Sequence, residues 1–110
     1  MNDYTKFTKV EAEVFKGGVA GAVQLSKAAD YALSAGEKNA YIGVTLTAAS
    51  KTVTLGLADG QIAFVANEGG TNAFTVKNVS GDSGTSLAAG KVALVVASTT
   101  ANSTKVTVLN

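Results

Sequence analysis

The stretch Tyr41-Ile42-Gly43-Val44-Thr45-Leu46-Thr47 alternates apolar with polar or small residues at every second position. This period places the two sets of side chains on opposite faces of a β-strand. The pattern recurs in residues 52–57, 61–66, 73–79, 91–97 and 104–109. Turn-forming residues separate these segments, and a spacing of roughly 8–12 residues is typical of antiparallel sandwiches and barrels. We therefore expect an all-β fold, a small antiparallel β-sandwich or barrel of about six strands.

The apolar positions of these strands are expected to face the core. Ile62, Phe64 and Ala66 share one face of their strand, and Phe74 occupies the same kind of apolar position in the next strand. Thr, Ser, Asn and Lys occupy the opposite faces, where we expect solvent. Asp59-Gly60 supplies the positive φ angles of a tight turn and predicts a hairpin between residues 52–57 and 61–66. We find no internal repeat.

The charged residues divide the chain unevenly. Ten of the seventeen lie in residues 1–38, which we interpret as an extended N-terminal arm, with residues 39–110 as an antiparallel β-domain. Within the arm, residues 10–14 fit a strand or a helix, and the pattern does not decide between them. Ser26 can cap a short helix over residues 27–33, because the alanines of that segment favour a helix.

The absent residue types exclude several kinds of chemistry. The chain has no His, Cys, Trp, Pro or Arg, so imidazole bases, thiolates and bidentate arginine contacts to phosphate are excluded. Its net charge of +1 gives no basic surface for nucleic acid. The longest apolar run, residues 92–97, is far shorter than the ~20 residues of a membrane-spanning helix. We expect no enzymatic activity, catalytic residue, cofactor or metal, and neither nucleic acid nor membrane as partner.

One string imitates a catalytic motif. Gly81-Asp82-Ser83-Gly84 resembles the sequence around the nucleophile of chymotrypsin-like proteases, but such a serine requires a base, usually His. Asn78, Asp82 and Ser83 could offer oxygen ligands to Ca²⁺, yet the segment lacks the acidic density of known calcium loops. We interpret both patterns as a turn that uses Gly and Asp for its backbone angles.

Aromatic residues concentrate near the N-terminus. Five of the seven lie in the arm or at the first strand of the β-domain, namely Tyr4, Phe7, Phe15, Tyr31 and Tyr41. Aromatic side chains are favoured as interface anchors, which favours docking of the arm on another molecule. The alternative is that the arm folds back on its own domain. Gly18 and Gly21 would allow another backbone to approach closely.

Part of the sequence resembles a virion family. Gly17-Gly18-Val19-Ala20-Gly21-Ala22-Val23-Gln24-Leu25, followed by Ala28-Ala29-Asp30, resembles the opening segment of head fibre proteins of tailed bacteriophages. Residues 60–67, 70–78 and 81–91 are similar in style to β-rich phage virion modules. The sequence lacks the long shaft, heptads and tip domain of a full fibre, so the resemblance favours a short capsid decoration or cement protein.

This resemblance implies a location and partners. It implies a non-catalytic protein on the exterior of the capsid, usually a homotrimer, which contacts the major capsid protein and reinforces capsomers or forms the base of a short head fibre. The expected capsid or subunit contacts are Tyr4, Phe7, Phe15, Gly18, Gly21, Tyr31 and Tyr41. The alternative function is a small carbohydrate- or protein-binding β-sandwich module of a phage tail or an adhesion protein.

Overall fold

The computed structural model describes residues 21–110. Over this range the chain forms nine strands and one short 3₁₀ helix, Ala35–Glu37. The strands are β1 (Ala22–Lys27), β2 (Tyr31–Ala32), β3 (Tyr41–Leu46), β4 (Lys51–Thr54), β5 (Ile62–Asn67), β6 (Phe74–Lys77), β7 (Thr85–Leu87), β8 (Val92–Val96) and β9 (Lys105–Val108).

The strands form two mixed sheets. Sheet A has the order β1-β3-β5-β8-β9, and sheet B has the order β2-β4-β6-β7. The first three strands of each sheet are parallel to one another. The pairs β5–β8, β8–β9 and β6–β7 are antiparallel.

The chain alternates between the two sheets for its first six strands. Each strand of sheet A is followed by a strand of sheet B, so β1–β2, β3–β4 and β5–β6 are three successive coils of one two-sheet stack. Residues paired between neighbouring coils are 19 to 23 positions apart. This is the connectivity of a short β-helix, closed at one end by the antiparallel strands β7, β8 and β9.

The all-β expectation is confirmed and the two-sheet arrangement is consistent with a sandwich, but the predicted number and pairing of the strands are wrong. The described residues form nine strands in two mixed sheets, with no closed barrel, where about six antiparallel strands were expected. The predicted hairpin at Asp59-Gly60 is also wrong, because β4 and β5 lie in different sheets. The two residues do form a turn, with Gly60 at φ +79°, and this turn carries the chain from sheet B to sheet A. Alternation identifies a strand but not its partner.

The short helix predicted over residues 27–33 is not observed. The segment instead ends β1 and forms β2, because Leu25 and Leu33 face the core while Lys27 Nζ lies 4.1 Å from the centre of the Tyr31 ring. Burial and pairing override the helix propensity of the alanines. From Gly21 onward, the predicted arm is therefore part of the two sheets.

The core lies between the sheets. Its fully buried members include Phe74, Ile42, Leu55, Leu57 and Leu87. In β5 and β8 the buried apolar positions are Ala63, Val65, Ala66, Ala93 and Val95. The expectation that Ile62 and Phe64 face the core is therefore wrong. Both faces of β5 and β8 are apolar, so the alternation does not determine which face points to the core. In the structure the face with the smaller side chains, alanines and valines, is the inner one.

Two buried asparagines fasten the turns between the sheets. Asn78 Oδ1 accepts a hydrogen bond from Leu57 N at 2.7 Å, and its Nδ2 donates to the carbonyls of Leu57 and Ser98 at 3.1 and 2.9 Å. Asn67 Nδ2 donates to the carbonyls of Asn72 and Leu87 at 2.8 and 2.9 Å. These side chains satisfy backbone groups that the irregular connections cannot pair among themselves.

Asp82 organises the turn that imitates a protease motif. Its Oδ2 accepts hydrogen bonds from the N–H groups of Asn78 and Val79 at 2.9 and 3.1 Å, and its Oδ1 accepts one from Asn102 N at 2.6 Å. Gly84 follows at φ +82°. The string is a turn, as expected, and its carboxylate binds backbone N–H groups.

Protonation of Asp82 at low pH should weaken the turn that its carboxylate holds. Burial alone raises the pKa of Asp82, but the N–H donors of Asn102, Val79 and Asn78 outweigh it and hold the pKa below its ordinary value. Because the folded-state pKa is the lower one, the stabilisation is present above the unfolded-state pKa and is lost as pH falls through the folded-state value.

We expect Asp82→Asn to lower the free energy of unfolding by about 2 kcal/mol at pH 7, since charged hydrogen bonds are lost. The difference between wild type and variant should shrink as the pH is lowered below 4, as measured by urea unfolding. A difference that stays constant down to pH 2 would show that ionisation of Asp82 is not what stabilises the turn.

A candidate binding face on sheet A

The outer surface of sheet A is apolar over β5 and β8. Since alternate residues of β5 and β8 are buried, the remaining side chains point outward. We define the apolar face as Ile62, Phe64, Val92, Leu94 and Val96. Ile62 is 54% exposed, Phe64 43% and Val96 37%. Cross-strand pairing places Ile62 opposite Val96 and Phe64 opposite Leu94, so these side chains form two adjoining apolar rows.

The outer surface of sheet B has the opposite character. Thr52 pairs with Thr75, and Thr54 pairs with Lys77, on the side of the sheet away from the buried Val53 and Val76. Hydroxyl and ammonium groups can remain hydrated there. The polarity of the two sheets therefore differs, and an exposed apolar patch with a polar opposite side marks an interaction surface.

A recess deepens one edge of the apolar face. It has a volume of about 240 Å³ and is lined by Gly21, Ala40, Tyr41, Ile62 and Phe64. The carbon and aromatic surfaces of these residues give it an apolar lining suited to an aliphatic or aromatic side chain. Gly21, in this lining, is the first residue that the structure describes.

A polar corner borders the recess. The Glu68 carboxylate accepts hydrogen bonds from the Tyr41 hydroxyl at 2.8 Å and from Gln24 Nε2 at 3.3 Å. It lies over Gly43, where a Cβ atom would approach the Glu68 carboxylate to 2.5 Å. The hydrogen bond to Glu68 raises the pKa of the Tyr41 hydroxyl, with smaller contributions from burial and from the negative charge. Glu68 and Gly43 together fix the Tyr41 ring at the rim.

The sequence-predicted contact residues occupy different places. Gly21 and Tyr41 line the recess. Tyr31 lies elsewhere, packed partly against the core, and its hydroxyl donates to Glu37 Oε1 at 2.6 Å. Four predicted residues lie outside the described range, namely Tyr4, Phe7, Phe15 and Gly18.

Sequence reasoning missed the apolar face itself. Ile62 and Phe64 were expected to face the core because they share the apolar side of an alternating segment. The available signal was that residues 62–66 and 92–97 are apolar on both faces. In a sheet with only one face on the core, that pattern indicates a second apolar surface.

The side-chain carboxylates of the described chain are engaged in internal hydrogen bonds. All five carboxylates between residues 21 and 110 accept hydrogen bonds, as shown for Glu37, Glu68 and Asp82, while Asp30 binds Thr52 N and Asp59 binds Thr99. Within this range no group of three or more His, Cys, Asp or Glu residues could hold a metal ion. Between residues 21 and 110, no helix is long and apolar enough to cross a membrane.

The polar corner can be tested by titration. We expect Glu68→Ala to lower the pKa of Tyr41 toward its ordinary value, because the acceptor is lost. Gly43→Ala should have the same effect by displacing the carboxylate, with a stability change below about 1 kcal/mol since Glu68 is exposed and can move. NMR titration of labelled tyrosines gives each pKa separately. Glu37→Ala is the control, which should shift Tyr31 and leave Tyr41 unchanged; an unshifted Tyr41 in both test variants would contradict the assignment.

No protein-family model, no curated protein and no solved structure matches this chain.

Proposed function

We propose that this chain is a structural virion protein that decorates the exterior of a tailed-phage capsid and attaches through the apolar face of sheet A. The observation that carries the proposal is that β5 and β8 turn their larger apolar side chains outward. A surface of this kind gains free energy when a partner covers it, at about 25 cal/mol per Å² of apolar area. The sequence resemblance to head fibre and virion modules supplies the choice of partner, the major capsid protein.

The structure suits a passive attachment role. The Asp82 carboxylate holds a turn, and the buried asparagines fix the connections between the sheets. Such a domain presents a rigid surface, so little conformational entropy is lost when it docks. A homotrimer is the assembly that the resemblance favours, because three copies would each contribute an apolar face around one capsid position.

A second function has one observation in its favour. The rings of Tyr41 and Phe64 both line the recess, and carbohydrates bind by stacking on aromatic rings. Recognition of a sugar also requires polar groups that converge on the ligand. The Tyr41 hydroxyl already donates its hydrogen bond to Glu68, and the other residues that line the recess have no polar side chain. This favours an apolar partner over a glycan.

Capsid attachment can be tested with a charge on the apolar face. We expect Phe64→Glu to reduce the copy number on purified virions at least tenfold, a loss of about 1.4 kcal/mol or more per contact. Phe64 is 43% exposed, so the new carboxylate remains hydrated and the melting temperature should change little. Quantitative mass spectrometry of purified particles measures the copy number.

Thr75→Glu is the matched control, because it places the same charge on the outer surface of sheet B. We expect this variant to be incorporated like the wild type. Absence of the wild-type protein from virions would overturn the proposal. Equal incorporation of Phe64→Glu would exclude the apolar face as the contact surface, and binding of the isolated protein to a glycan array through the recess would favour the second function.

A further inference from the structure

Strand β9 forms an antiparallel edge of sheet A. Within residues 21–110 it pairs only with β8, and the ladder continues to Leu109, whose N–H donates to the Val92 carbonyl at 2.8 Å. Because backbone groups alternate along an antiparallel strand, Thr107 also forms its hydrogen bonds with β8. The N–H and C=O groups of Val106 and Val108 therefore point away from β8, toward the edge of the sheet.

The inner side of β9 is incompletely covered in the described chain. Val106 and Val108 lie opposite Val95 and Ala93, which are fully buried, so all four residues share the inner side of sheet A. Val106 packs partly against the core, but Val108 is 42% exposed. An edge strand with unpaired backbone groups and exposed apolar side chains is a template for pairing with another strand.

The edge of β9 is complementary to a second copy of itself. A twofold axis at Thr107 places Val106 opposite Val108 of the other copy, and each such pair exchanges both of its hydrogen bonds. On the inner side, each exposed Val108 is then covered by a valine. On the outer side the two Thr107 side chains meet, and Lys105 faces Leu109 of the other copy, so no like charges are opposed. Moving the axis to Val106 or Val108 would leave only one hydrogen-bonded pair within β9.

The edge strand of sheet B at the same end is less suited to pairing. β7 has only three residues, Thr85–Leu87, and Gly84 precedes it at φ +82°. A very short edge strand is one of the ways in which natural proteins prevent edge-to-edge pairing. Of these two edges, β9 is therefore the one that another strand can extend.

We propose that two copies of this chain associate through β9, about a twofold axis at Thr107, so that their sheets A form one continuous antiparallel sheet. The partner is a second copy because a twofold pair satisfies the same backbone groups and covers the same valine on both sides. The axis is perpendicular to the sheet, so both apolar faces remain uncovered on the same side. The association therefore neither competes with the proposed attachment through sheet A nor rests on it.

Charges at the axis test the proposal, because each Thr107 would face its own copy. Thr107 is exposed on the outer side, so Thr107→Lys and Thr107→Glu should both fold like the wild type. Either variant alone opposes like charges, and we expect its dimer dissociation constant to be at least about tenfold higher than that of the wild type. An equimolar mixture opposes unlike charges and should restore dimers. Sedimentation velocity at protein concentrations up to about 1 mM measures these constants.

Thr75→Lys and Thr75→Glu are the matched controls, because Thr75 lies on the outer surface of sheet B, and they should dimerise like the wild type. Phe64→Glu should also dimerise, which separates this association from attachment through the apolar face. A wild-type chain that stays monomeric at about 1 mM, or an oligomer that Thr107→Lys leaves intact, would overturn the proposal. A mixture no more dimeric than its two components would overturn the axis at Thr107.

Amide hydrogen exchange of the full chain locates the contact. Lys105 and Thr107 donate toward β8 in either state, so their amides are internal references. We expect the Val106 and Val108 amides to exchange at least about tenfold more slowly in the dimer than at concentrations below the dissociation constant, with the references unchanged. Mass spectrometry with fragmentation to single residues measures each amide. Exchange of Val106 and Val108 that does not depend on protein concentration would overturn the proposal.

Discussion

The structure depends on the chain changing sheets after each of its first five strands. Every strand therefore pairs with a strand one coil away, and no adjacent pair of these strands forms a hairpin. Such a stack needs connections whose backbone groups are satisfied without ladder partners. Asn67, Asn78 and Asp82 provide those hydrogen bonds from buried positions, which explains how a chain without disulfides keeps irregular turns close to its core.

Local pattern predicted the elements far better than their arrangement. All six expected strands exist within a few residues of their predicted bounds. The predicted antiparallel pairing failed because alternation describes one strand at a time, whereas partner choice depends on the path of the connection. The coil offsets vary from 19 to 23 residues, so no repeat is visible in the sequence. β2 was missed because the alanines of residues 27–33 favour a helix until neighbouring coils offer hydrogen-bond partners. β1 was missed because its small residues were interpreted as part of the arm.

The outer faces of the two sheets show where sequence reasoning can be improved. Threonines on sheet B follow the expected rule of a polar outer surface. β5 and β8 break it, since Ile62, Phe64, Leu94 and Val96 lie on the outer side while smaller or equal-sized alanines and valines are buried on the inner side. A strand that is apolar on both sides, in a sheet with one face on the core, carries information about a partner. That signal was present in the residues, but its assignment to inside or outside required the register.

The parallel pairing of the coils also sets the order in which the molecule can be built. A ribosome adds about 5–20 residues per second, so a coil of some 20 residues emerges in roughly 1–4 s. Each new strand finds its partner in the coil already synthesised, and β3 can align on β1 long before β8 exists. The growing edge stays unpaired until β8 and β9 arrive, which are the last strands made. The nascent chain therefore exposes the unpaired parallel edge of β5 until β8, close to the C-terminus, has been synthesised and pairs with it.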